Sequence, residues 1–238
     1  MVTTSVAMMK VMEERGIHAD VAAGLSLGEY CALVAAGVMT ADDAIRTVRE
    51  RGILMQEAVP AGVGGMSAVL GMTADEINAV VDEIPNVQVA NYNCPGQIVI
   101  SGLKEAVEIA AVKLKEAGAR RVIPLNVSGP FHSYLLEEAG EKLGKFLENI
   151  PVAEPVIPYV ANVTAAYVTK AEDVKPLLTR QVSSSVRWQQ SVETMLADGV
   201  DRFIEIGPGK TLAGFIRKIN REATVINIEK FEDLEKLN

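Results

Sequence analysis

The chain has 238 residues, 49% of them hydrophobic, and 31 acidic against 23 basic side chains, for a net charge of -8. This is enough apolar material for a sizeable core, and the acidic balance argues against a general nucleic-acid binder, which needs a basic footprint. No apolar run approaches membrane-spanning length. The opening MVTTSVAMMKVMEERG lacks the parts of a signal peptide, and Cys31 and Cys94 form no CxxC or zinc spacing, so a reduced cytoplasmic protein is expected.

Residues 2–15 read as an amphipathic helix and ADVAA at 19–23 as a short buried strand. A helix from Leu27 is expected to end near Gly37, and Thr40 with Asp43 predicts the N-cap of the next, which runs to about Ala58. PAGVGG at 60–65 reads as a hinge-like break. MSAVLG then predicts a strand, TADEINAVVDEI a helix, VQVANYN and QIVISG two strands, LKEAVEIAAVKLKEAG a helix and RRVIPLNVS a last strand. That β-α-β-β-α-β order, over about residues 66–128, is the split pattern of a ferredoxin-like unit. A larger layer resumes with a helix after His132, a strand near VIPYVAN, and RFIEIG followed by a helix. The expected fold is therefore α/β, a hydrolase-like parallel-sheet core (1–62 and 129–238) carrying an inserted ferredoxin-like subdomain (63–128). The acidic run EKFEDLEK near the C-terminus is expected to be a solvated tail.

Gly24-Leu25-Ser26-Leu27-Gly28 sits where the short strand gives way to a helix, the setting of a GxSxG nucleophile elbow. The glycines suit a tight turn with close backbone approach on both sides, and the helix N-terminus favours developing negative charge. The Leu27 N–H would face an oxyanion formed on the substrate of Ser26. The alternative is that Ser26 is an ordinary helix cap. A nucleophilic serine needs a base, and the chain has two histidines. His18, in the turn GIHAD, reads as solvated; His132, in the loop SGPFHS, is the favoured base.

In the helix 41–58, Ala41, Ala44, Val48, Gly52 and Met55 share an apolar face, and Arg51 falls inside it. A buried arginine is either paired with an internal carboxylate or poised to fork onto a substrate carboxylate. GPGKT at 207–211 lacks the first glycine of a phosphate-binding loop, because that place is Ile204, and reads as a strand-to-helix turn. GVGGMS at 62–67 fails GxGxxG at Ser67.

GLSLGEY (24–30), RGILMQEAVP (51–60), NYNCPGQIVISG (91–102), GPFHS (129–133), RQV (180–182) with VRW (186–188), and EIGPGKTL (205–212) occur together and in order. In these stretches the chain resembles the malonyl-CoA:acyl carrier protein transacylases, acyltransferases of fatty-acid and polyketide synthesis. The resemblance implies Ser26 as nucleophile, His132 as its base, and Gln181 as the residue whose backbone carbonyl orients the histidine. It implies Arg51 as the ligand of the malonyl carboxylate, with Met55, Phe131 and Asn91 among the substrate-binding residues. Phe131 fits the malonyl pattern, whereas Leu25 stands where the family often has histidine. The resemblance implies malonyl-CoA and acyl carrier protein as partners, with no metal or redox cofactor, no nucleic acid and no membrane. Arg120, Arg121, Lys113 and Arg187 are candidates for docking the acidic carrier.

One departure stands out. The family opens with a strand and an FPGQGxQ loop that supplies a second oxyanion donor, and these 238 residues contain no such motif. A separate N-terminal fragment, an incomplete reading of the gene, and an impaired enzyme are the alternatives. Two rival functions follow: a serine esterase or thioesterase, or a remnant that binds CoA esters or carrier protein without catalysis.

Overall fold

A computed structural model of the chain describes residues 1–237. Helix α1 (Val2–Glu14) leads into β1 (Ala22–Ala23), α2 (Gly28–Ala35) and α3 (Ala41–Glu57). Then come β2 (Gly64–Leu70), α4 (Ala74–Val81), β3 (Val87–Cys94), β4 (Gln97–Leu103), α5 (Lys104–Glu116) and β5 (Arg121–Pro124). The chain continues through α6 (Glu137–Glu148), β6 (Tyr159–Val160), β7 (Tyr167–Val168), α7 (Ala171–Gln181) and α8 (Trp188–Ala197). It ends with β8 (Arg202–Ile206), α9 (Thr211–Ile219), β9 (Thr224–Ile228) and a closing 3-10 helix.

The result is a mixed α/β architecture. β1 pairs parallel with β6, which pairs antiparallel with β7. β8 and β9 form a separate parallel pair. The middle segment forms its own antiparallel sheet in the order β3-β4-β2-β5. That sheet and helices α4 and α5 enclose a core built from Val69, Ile77, Ile98, Ile100 and Leu114. The largest core lies elsewhere, where α1, α2, α3, α6 and α7 bury Leu33, Met55, Leu143 and Leu178 together. Met66, Ala90 and Val99 of the small sheet form a seam against Phe131.

Local chemistry explains the helix starts. The Asp43 N–H donates to the Thr40 hydroxyl at 3.1 Å, which is the expected cap of α3. Thr73 and Glu76 close a full capping box on α4. At α9, Glu205 accepts the N–H groups of Leu212 and Ala213 at 2.9 and 3.0 Å, so two free donors of the helix end are already taken. GPGKT is thus a strand-to-helix turn, with Gly207 and Gly209 at φ 125° and 91°.

Several expectations change. The first strand is two residues long, and the parallel partner of β8 is TVINI (β9), which the sequence reading passed over. Gly52 is exposed on α3, whose buried face is Asp43, Ala44, Thr47, Arg51 and Met55. EKFEDLEK is no solvated tail. Leu234 packs beside Met12 and Ile228, and Asp233 accepts the N–H groups of Glu229 and Lys230.

The elbow glycines also divide their work. A Cβ on Gly24 would overlap the carbonyl of Gly28, whereas a Cβ on Gly28 would meet nothing within 4 Å. Only the first glycine answers to close backbone approach. In chemical denaturation Gly24→Ala should lose roughly 1–3 kcal/mol from steric overlap. Gly28→Ala, at the start of a helix, should stay within about 1 kcal/mol of the parent.

Candidate active site

Ser26 lies between β1 and α2 with φ 50°, a left-handed conformation that serine rarely adopts. It makes no helix-cap bond, so the capping alternative falls. Its N–H donates to the Asn162 side-chain oxygen, and the Asn162 amide donates to the Gly24 carbonyl at 2.7 Å. Asn162 follows β6 and so stitches the elbow to the neighbouring strand. The Leu27 N–H donates to no backbone acceptor among the described residues, as an oxyanion donor must.

His132 reaches the elbow from a loop that is also strained, with φ 58°. Its Nε2 lies 2.7 Å from the Ser26 Oγ, and its Nδ1 lies 2.9 Å from the Gln181 carbonyl oxygen. A carbonyl can only accept, so Nδ1 carries the proton and Nε2 is free to take the serine's. Burial, helped by the Arg51 charge, pushes His132 down to about 4 against the pull of backbone carbonyl acceptors. The imidazole is therefore neutral at pH 7 and ready to act as a base. Gln88 of β3 holds the loop from the other side, donating to the His132 carbonyl at 3.2 Å and accepting the Tyr134 N–H at 3.0 Å.

Arg51 is buried on α3, with only 6% of its surface exposed. Among the described residues no carboxylate lies in ion-pair contact with it, so the internal salt bridge weighed above is not formed. Its Nη2 donates to the Ser26 Oγ and to the Gln181 Oε1, both at 3.0 Å. Its Nε is buried without a partner. The guanidinium carbon stands 5.8 Å from the centre of the Tyr30 ring. Such a group, desolvated and short of acceptors, is set to receive an anion.

Gln181 joins these parts. Fully buried at the end of α7, it also donates from Nε2 to the Ser26 carbonyl at 3.0 Å and to the Glu29 carboxylate at 2.6 Å. Burial raises Glu29 to about 7, offset by the bonds from Gln181 and Asn162 and by the Arg51 charge.

The structure thus brings Ser26, His132, Arg51 and Gln181 into one hydrogen-bonded cluster. Met55 lies one turn beyond Arg51, and Phe131 precedes His132; both flank Gly129. Asn91 is buried in β3, beside a backbone bridge to Val186, and among the described residues it hydrogen-bonds to none of the cluster. His18 is exposed, as expected. Glu29, Asn162 and Gln88 went unnoticed in the sequence. For Glu29 a signal existed, a lone carboxylate in the otherwise apolar GEYCALVA.

A strand-turn-helix elbow carrying a serine, a neutral histidine base and an anion-seeking arginine define an acyl-transferring enzyme. The comparisons agree. The acyl transferase domain pattern matches residues 1–231. A malonyl CoA-acyl carrier protein transacylase of Bacillus subtilis (strain 168) is 48% identical over 239 residues, covering 99% of this chain and 75% of that protein. The crystal structure of an acyl carrier protein S-malonyltransferase from Vibrio cholerae superposes with a TM-score of 0.97 at 41% identity, covering 100% of this chain and 79% of that one. A malonyl-transacylase solved in complex with a type II PKS acyl-carrier protein superposes at 0.95 with 41% identity, covering 99% of this chain and 77% of that one. The chain belongs to the acyl transferase family.

The depressed histidine makes a kinetic prediction. Its base form persists as pH falls through 6.5 and is lost only near 4. The rate of Ser26 acylation, followed by quenched mass spectrometry, should therefore show no histidine limb near pH 6.5. A limb there that survives Glu29→Gln would contradict the assignment.

Proposed function

We propose that this acyltransferase carries a malonyl group from malonyl-CoA to the phosphopantetheine thiol of acyl carrier protein through an ester on Ser26. One observation carries the reading: the serine and its neutral histidine base sit beside a buried arginine that has no carboxylate of its own. An acyl chain ending in a carboxylate supplies that missing partner.

In this mechanism His132 Nε2 takes the Ser26 proton as Oγ attacks the thioester carbonyl, and Leu27 N–H donates to the resulting oxyanion. The C–S bond then breaks, the proton passes from His132 to the departing CoA sulfur, and malonyl-serine remains. The carrier thiol gives its proton to His132 and attacks the ester, and Ser26 Oγ recovers a proton as it leaves. Arg51 holds the free carboxylate throughout, with Met55 and Phe131 shaping the acyl pocket. The role of Asn91 in binding substrate rests on the resemblance alone. Gln181 orients the histidine through its carbonyl.

The small unit reads as a ferredoxin-like insertion (63–128) in a hydrolase-like core (1–62 and 129–238); the strand order β3-β4-β2-β5 with two helices supports the first part. Lys113, Arg120, Arg121 and Arg187 are all exposed, as a carrier-docking role requires. A cytoplasmic setting fits two free cysteines. No described helix is long and apolar enough to cross a membrane. The second oxyanion donor of this mechanism, which an FPGQGxQ loop carries in the family, is not among these 238 residues. The esterase and remnant readings have less support, because the acyl transferase pattern spans residues 1–231 and the Ser26–His132 pair is intact.

Intact mass after mixing with malonyl-CoA tests the reading, with and without a peptide of that pattern. A malonyl adduct is expected on the parent and absent from Ser26→Ala. Arg51→Ala should lose about tenfold or more of the preference for malonyl over acetyl, the scale of one charge-assisted hydrogen bond. No adduct on a folded parent in either condition, or an unchanged preference in Arg51→Ala, would overturn it.

A further inference from the structure

We infer that Glu29 is a positioning residue for acyl selection, setting the orientation of Arg51 through the side-chain amide of Gln181. The inference rests on the acyl-transfer reading above and concerns Glu29 and the Gln181 side-chain amide, to which that reading gives no part.

Glu29 stands in the first turn of α2, three residues after the nucleophile, with 1% of its surface exposed. Its Oε2 accepts the Gln181 Nε2–H at 2.6 Å and the Asn162 N–H at 3.2 Å. Among the described residues it forms no ion pair. The cation that it does feel is Arg51, on the far side of the Gln181 amide. Carboxyl, amide and guanidinium form a chain in which the Gln181 amide links two buried ionisable side chains.

A glutamine amide is nearly symmetric in shape, so its orientation must come from its partners. Here the Nε2 end faces two acceptors, the Glu29 carboxylate and the Ser26 carbonyl, and the Oε1 end faces the Arg51 donor. Flipping the amide would turn oxygen toward both acceptors and N–H toward the guanidinium. Of the two acceptors at the Nε2 end, Glu29 makes the shorter bond, 2.6 Å against 3.0 Å to the Ser26 carbonyl, so it is the stronger anchor. Its loss would release the amide, and with it the contact that aims Arg51.

The histidine is affected differently. His132 bonds to the backbone carbonyl of Gln181, which does not move when the side-chain amide turns. Loss of the Glu29 acceptor should therefore weaken selection of the acyl group more than the basic chemistry on the serine. A merely structural role for Glu29 would weaken both alike.

The test compares malonyl-CoA and acetyl-CoA as acyl donors in three proteins: the parent, Glu29→Met and Glu29→Gln. Met keeps the volume but has no oxygen acceptor, whereas Gln keeps an oxygen that can accept. Glu29→Met should lose about tenfold of the malonyl-to-acetyl ratio of Ser26 acylation rates, with the acetyl rate within about threefold of the parent. Glu29→Gln should hold the ratio within about threefold. If Glu29→Met does not fold, Glu29→Asp, which withdraws the oxygens by one methylene, should show the same loss of ratio. Equal losses on both donors, or a Glu29→Gln ratio as poor as that of Glu29→Met, would overturn the positioning role. A parent that takes no malonyl group at all would instead remove the functional reading itself.

Discussion

The site depends on one uncharged side chain in the middle of it. Gln181 is fully buried, yet it satisfies the Ser26 carbonyl, the Glu29 carboxylate, the Arg51 guanidinium and, through its own carbonyl, the His132 imidazole. Each of those groups would be expensive to bury alone, since an unpaired polar group in a dry interior forfeits its hydration. Brought to one residue, each gains a partner there, although Arg51 Nε stays unpaired, and their relative positions become a single geometric fact. The helix that ends at Gln181 packs firmly on α6, where Gly140 lets the Thr179 backbone approach. The rigidity of the site is therefore inherited from helix packing well behind it.

Against that fixed centre, Ser26 and His132, the proposed nucleophile and base, are held in unfavourable backbone conformations. Ser26 and His132 are two of only four non-glycine residues with positive φ among those described. Strain of this kind costs of order 1–3 kcal/mol per residue and persists only where the surroundings enforce it. The two enforcers belong to different parts of the molecule. Asn162, after β6 of the main layer, clamps the elbow on both sides, from the Ser26 N–H to the Gly24 carbonyl. Gln88, on the small sheet, clamps the histidine loop, and Gly64 of the same sheet lies against Pro130. In the proposed mechanism the small sheet thus has a physical part, because it holds His132 where the core holds Ser26.

What the sequence could reveal follows from the range of the interactions. Ser26 and Gly24 were legible because an elbow is local: a strand end, a glycine, a serine and a helix start within six residues. His132 was reached by elimination among two histidines, and Arg51 by its place on a helical face, which the structure keeps although Gly52 leaves that face. The carbonyl role of Gln181 came only with the family resemblance. Asn162 and Gln88 were not legible, and for Glu29 the lone carboxylate in an apolar helix marked the residue but not its role, because their partners lie 44 to 152 residues away in the chain. Polar satisfaction in a core is settled by such long-range pairings, and no local pattern announces them. The misreading of EKFEDLEK has in part the same origin: charge suggested solvent, but Leu234 packs on Met12, more than two hundred residues away in the chain, which composition cannot show.

Under the proposed function, the charge arrangement around Arg51 gives selection two sides. With an acyl group that ends in a carboxylate, the guanidinium gains the acceptors that it lacks, and its buried charge is matched. With an acetyl group the same charge stays desolvated, its Nε still without a partner. Discrimination then arises from an attraction toward one donor and from a standing penalty with the other, and a few buried atoms supply both. A direct salt bridge from Glu29 to Arg51 would have relieved that penalty and lost the discrimination with it. In the proposed reading, Gln181 between them leaves Glu29 near enough to steady the arginine without pairing with it, so the matching charge is left for the substrate to bring.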